Sequence, residues 1–112
     1  MAQIYRSSKN FKEIIAIMER ATQSGGSFIW QNIKGSRVTH DVQVKEIDPI
    51  QQTITIDFIS EPKNFDQKEN CFVKIPIQES VFKSPVLSFI GKTITLDFPF
   101  EMVLAEFREE KR

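Results

Sequence analysis

The apolar positions of the chain change period once. Phe11, Ile14, Ile15, Met18 and Ala21 recur at i, i+3, i+4, i+7 and i+10, the spacing of an amphipathic helix with one buried face. Glu13, Glu19 and Arg20 fall off that face. Asn10 and Glu13 stand at the N-cap and N3 spacing of a capping box. Gly25-Gly26 offers the stop, because glycine tolerates the left-handed conformation at a helix end. The spacing predicts a helix over about 10–23.

Beyond Gly26 the period is two. "SFIWQNI" throws Phe28 and Trp30 to one face, which the alternation assigns to the core. "RVTHDVQV" places Val38, His40, Val42 and Val44 together, and "CFVKIPI" does the same for Val73, Ile75 and Ile77. "TITIDFI" and "TITLDF" set Ile54, Ile56, Phe58 and Ile94, Leu96, Phe98 against rows of Thr and Asp. "PVLSFIG" is short and apolar. Gly35, the Asp48-Pro49 pair and Gly91-Lys92 punctuate the runs as turns, and "SEPKNFDQKEN" is a longer polar loop. After Pro99, the residues Phe100, Val103, Leu104 and Phe107 return to a helical spacing, and the chain ends "REEKR".

These periods predict a mainly β fold: a small antiparallel β-barrel of about six strands, with the N-terminal helix over one end and a short C-terminal helix or linker. The corresponding segments are a helical 1–25, a barrel 26–98 and a linker 99–112.

Composition narrows the class. Ten Phe against one Trp and one Tyr supply large apolar area without polar atoms to satisfy, which excludes a disordered tail. No apolar run reaches the ~20 residues of a membrane helix. Lys+Arg 15 balance Asp+Glu 15, whereas a dedicated nucleic-acid binder usually carries a basic excess. Cys71, the only cysteine, makes no internal disulfide, and the N-terminus carries no secretory signal, so the expected compartment is the cytoplasm. One His and one Cys cannot build a His/Cys zinc site, and no metal or other cofactor is expected.

No convergent catalytic set stands out, and the chain does not read as an enzyme. Histidine is the residue type suited to general-base work at neutral pH, but His40 has no nucleophile in context, and Asp41 alternates to the opposite face. Cys71 lies in the core phase of its strand. Asp57 and Asp97 occupy matching polar-phase positions and read as solvated. The glycines of "SGGS" follow a helix, whereas phosphate cradles precede one. Arg108 and Arg112 form an R-x-x-x-R pair, a pattern that can clamp phosphates or guanine edges; Glu109 and Glu110 lie between them.

The order of features resembles the N-terminal domain of YcgR-like proteins, the flagellar-brake family. A β domain is followed by Pro99, the apolar stretch through Phe107, and then Arg108 and Arg112. The resemblance covers roughly residues 26–112. It implies a regulatory module of bacterial motility that precedes a PilZ domain, with Arg108 and Arg112 contacting cyclic di-GMP. The family's second binding motif, of the D/N-x-S-x-x-G type, does not occur in the chain. Phe65, in the polar loop, is a candidate contact for a protein partner. An alternative reading is a β-barrel that binds single-stranded nucleic acid through Phe28 and Trp30 beside Lys34 and Arg37.

Overall fold

The computed structural model describes the backbone of residues 2–108 and the side chains of residues 4–105. Strand β1 (Ala2–Ser8) precedes helix α1 (Phe11–Ala21). Strands β2 (Ser27–Ile33), β3 (Ser36–Asp48) and β4 (Thr53–Phe58) form consecutive hairpins. After the 59–70 loop come β5 (Cys71–Ile75), a 3-10 turn (Ile77–Glu79), β6 (Ser80–Ser84), β7 (Val86–Ile90), β8 (Thr93–Asp97) and β9 (Met102–Arg108). They form one nine-stranded sheet in the order β1-β9-β6-β5-β2-β3-β4-β8-β7, and the described pairings are antiparallel.

The predicted helix is present, with the expected N-cap: Asn10 Oδ1 accepts the Glu13 N–H at 3.1 Å. Its face is Ile14, Ile17, Met18 and Ala21. These side chains join Ile29, Val42, Val44, Ile54, Ile56, Val73, Ile94 and Leu96 in a single core.

Two expectations need correction. The sheet does not close into a barrel, because β1 and β7 end it without pairing to each other. The apolar face of α1 supplies burial that closure would otherwise give. The C-terminal stretch is also not a helix. Residues 102–108 form β9, paired along its length with β1 from Ser8↔Met102 to Ala2↔Arg108. Met102 and Leu104 are fully buried, while Val103 between them is 43% exposed. The period there is therefore two.

The start of α1 is tied to β1. Arg6 donates to both carboxylate oxygens of Glu13, at 3.1 and 2.5 Å. Ser8 Oγ donates to Glu13 Oε1 at 2.5 Å and accepts the Asn10 N–H at 3.2 Å. The Glu13 side chain thus reaches the strand, and Ser8 takes over its capping-box role toward the Asn10 amide. The hydrogen bond from Arg6, and then that from Ser8, hold the Glu13 carboxyl below its ordinary value of 4.5. A carboxylate with a lowered folded-state pKa adds stability above its unfolded value, and that increment is lost as pH falls through the folded one. Glu13→Gln is therefore expected to flatten the fall in stability below about pH 4.5 while leaving the shape of the curve at neutral pH unchanged. Urea melts of both proteins across that range check it, and parallel acid limbs would refute it.

Candidate functional site

The 59–70 loop folds back over the inner face of the sheet. The device that holds it is Gln31, whose side chain points into the core and is 1% exposed. Gln31 Nε2 donates to the carbonyls of Asp66 (2.7 Å) and Glu69 (3.3 Å), and its Oε1 accepts the Asp66 N–H at 3.0 Å. A buried amide with both ends satisfied fixes position strongly. Phe65 accordingly lies half-buried against the core. It packs edge-on against Phe58 (5.0 Å) and Phe89 (5.2 Å). That corrects the view of Phe65 as an exposed partner contact. The loop walls a cavity of about 610 Å³ with Ile33, Val38, Phe65 and Phe89 among its apolar lining and Lys34 and Lys68 among its polar lining.

His40 belongs to this cluster. Its ring lies edge-on to Phe58 (5.3 Å) and Phe65 (6.0 Å). Its Nε2 is 2.8 Å from the Lys63 carbonyl, so the ring takes the tautomer that donates there. This is a loop anchor, and no nucleophile among the described residues is brought to it. Cys71 is fully buried, and burial pushes its thiol up to about 12. A thiol so raised is inert at neutral pH. Asp57 and Asp97 stand at opposite ends of the β4–β8 ladder, across from Thr93 and Thr53. Asp57 Oδ1 accepts the Thr93 hydroxyl at 2.8 Å, so the pair does not converge. No cluster of His, Cys, Asp or Glu among the described residues could hold a metal ion. No helix among them is long and apolar enough to cross a membrane.

Phe28 and Trp30 are not in the core. In β2 the buried positions are Ser27, Ile29 and Gln31, and the two rings lie on the outer face. Trp30 stacks on Phe72 of β5 at 5.2 Å and 11°, and the Arg37 guanidinium of β3 lies 4.8 Å from its centroid. Lys34 is elsewhere, lining the cavity under the loop. Phe72 escaped the sequence reading, although its alternation with Cys71 and Val73 carried the signal.

The C-terminal arginines divide at the edge of the described chain. Arg108 is the last residue of β9, its backbone paired with Ala2 at the end of the β1–β9 ladder. Arg112 lies outside the described residues. At the opposite end of that ladder, Ser7 Oγ on β1 donates to the Glu101 carboxylate.

No protein-family model and no curated protein matches the chain. A solved structure does: that of the K. pneumonia MrkH–c-di-GMP complex, with a TM-score of 0.70 at 10% identity. The likeness covers 94% of this chain and 45% of the MrkH chain, so this chain spans a little under half the length of that protein and shares the fold of that part.

Proposed function

We propose that this chain is a non-enzymatic regulatory and interaction module of a cyclic di-GMP response protein, coupling ligand sensing to a protein partner. The observation that carries the reading is the shared fold with part of MrkH, a protein solved in complex with c-di-GMP. The order of features that resembles YcgR-like proteins points the same way, and with it come a cytoplasmic setting, a role in motility signalling and a PilZ domain as neighbour.

The sensing end is the exit from β9. Arg108 is the last residue of a strand held by β1 along its length, and Arg112 lies four positions further on. Guanidinium groups bind phosphates and guanine edges through paired hydrogen bonds. A ligand clamped between these arginines is dianionic and favours the ordered arrangement of the segment. Because the Arg108 backbone is part of the sheet, ordering there is transmitted into the β1–β9 ladder. The non-enzymatic reading rests on the fates of His40, Cys71 and Asp57, each of which has a packing or hydrogen-bonding role, and of Asp97, which is exposed at the other end of the β4–β8 ladder from Asp57.

Calorimetric titration with cyclic di-GMP tests the reading, run beside an Arg108→Ala/Arg112→Ala double variant whose folding is checked by circular dichroism. Saturable binding that is lost in the double variant is expected. A folded chain that takes up no ligand, or a double variant that binds as the parent does, would remove these arginines from the proposal.

A further inference from the structure

The outer face of the sheet is not uniform. Across β4 and β8 it carries Thr53, Thr55, Asp57, Thr93 and Thr95, the polar surface that a solvated sheet normally presents. Across β2 and β5 the same face carries aromatic rings. Phe28 lies 5.9 Å from Trp30, and Trp30 lies 5.2 Å from Phe72. Beside this ridge is a groove of about 350 Å³ lined in part by Phe72, Val81, Phe100 and Val103. Phe100 is 69% exposed. Phe28, Trp30 and Phe72 are each half-buried and Phe100 and Val103 exposed; apolar side chains gathered in this way on one half of a sheet face mark an interaction site.

Charge and ring geometry indicate what it takes. Arg37 flanks Trp30 from the β3 side. Lys83 stands directly across from Phe72 on β6 and lines the groove. The acids of this region are Asp41, across from Phe28 at the other end of the ridge, and Glu101 in the groove, whose carboxylate accepts from Ser7 Oγ. Neither cation has a carboxylate partner among the described residues. Nucleobases need an open ring face to stack on. Trp30 has none to offer, because Phe72 stacks on it from β5 and Arg37 covers it from β3. Trp30 is half-buried between these neighbours, and a ring so flanked suits contact with a protein surface. A second copy docked about a two-fold axis would bring the same pair of cations to the contact. Trp and Arg are also the residue types that dominate protein–protein binding energy.

We infer that the ridge Phe28–Trp30–Phe72 and the groove beside it dock a protein partner through an apolar surface that bears carboxylates, met by Arg37 and Lys83. This rests on the reading of the chain as an interaction module and names its partner face.

The test is a selection from a random-peptide phage library against the folded chain, carried out without cyclic di-GMP so that it succeeds or fails independently of the ligand titration. Enriched peptides are expected to combine aromatic or aliphatic residues with Asp or Glu. A synthetic peptide of that kind should bind at least about tenfold more weakly to Arg37→Glu/Lys83→Glu, both exposed surface positions. It should bind unchanged to Lys92→Glu, on the distant β7–β8 turn. A selection without enrichment, basic peptides, or equal affinity for the charge-reversed variant would overturn the inference. So would oligothymidine binding lost in Trp30→Ser, which gives the face to single-stranded nucleic acid. A dimer in sedimentation that dissociates on charge reversal would give it to a second copy.

Discussion

Replacing Phe98 with alanine is expected to remove about 3–5 kcal/mol of folding stability, the usual loss for a buried phenylalanine cut to a methyl group. Its ring is 1% exposed and heads the large, fully buried side chains. It stands where three parts of the chain meet. The ring lies 5.5 Å from that of Phe11, the first residue of α1. The Phe98 amide donates to the Gln52 carbonyl in the β3–β4 turn at 2.8 Å. The residue itself directly follows β8. A cavity there loosens the helix start and the turn together, and neither can collapse into it without losing its own contacts. Since a domain is stable by only about 5–15 kcal/mol in all, the urea midpoint should fall steeply with an unchanged slope. Phe72→Ala is the contrast. That ring is half-buried on the outer face and stacks on Trp30, so its loss should amount to about 1 kcal/mol, close to the worth of an aromatic pair. Equal losses at the two positions would mean that the outer ridge is part of the packing and not a surface kept for a partner.

The elements that the sequence makes legible are those whose buried face is apolar and whose other face is polar. Helix α1 is of this kind, and so are β4 and β8, where Ile54, Ile56, Ile94 and Leu96 alternate with Thr. The strands that escape break the rule in identifiable ways. In β6 the inward positions Ser80 and Ser84 are polar and buried. They are satisfied locally, Ser80 Oγ by the Ile77 carbonyl at 2.6 Å and Ser84 Oγ by that of Pro85 at 2.9 Å. Only the Val81-Phe82 pair then looks apolar, and no period shows. In β9, Val103 faces out beside inward Met102 and Leu104, giving a consecutive apolar run that mimics a helical stripe. In β1 Ile4 and Tyr5, which point to opposite faces, are both exposed, so the strand is defined by its pairing with β9 and not by burial. The partner face hides for the same reason. β2 turns Phe28 and Trp30 outward and Ser27 and Gln31 inward, the reverse of what alternation with apolar-in, polar-out implies. A phase inverted in this way comes from tertiary demands that local pattern does not encode: the 59–70 loop needs an internal amide, and the outer face carries the rings.

That internal amide is the second place where a single change should be felt strongly. Gln31→Leu keeps the volume but removes every hydrogen bond from β2 to the 59–70 loop that passes through the side chain. The Asp66 N–H and the Asp66 and Glu69 carbonyls are then left to find water, and to do so the loop must lift from the sheet. A buried polar group that loses its partner costs about 1–3 kcal/mol. With the donor and the acceptors affected together, a loss of about 2–3 kcal/mol is expected, short of the sum because the carbonyls regain solvent. Lifting the loop also draws Phe65 away from Phe58 and Phe89 and parts the Lys63 carbonyl from His40. The wall of the cavity that Asn64, Phe65 and Lys68 form goes with it. Two measurements separate loop release from general weakening. Urea unfolding gives the total loss, and hydrogen exchange at the Asp66 amide should become fast well before the β4–β8 core exchanges. If Gln31→Leu were neutral within about 0.5 kcal/mol and the Asp66 amide stayed protected, the aromatic contacts of Phe65 alone would hold the loop. Gln31 would then be a buried residue without a role in shaping the cavity.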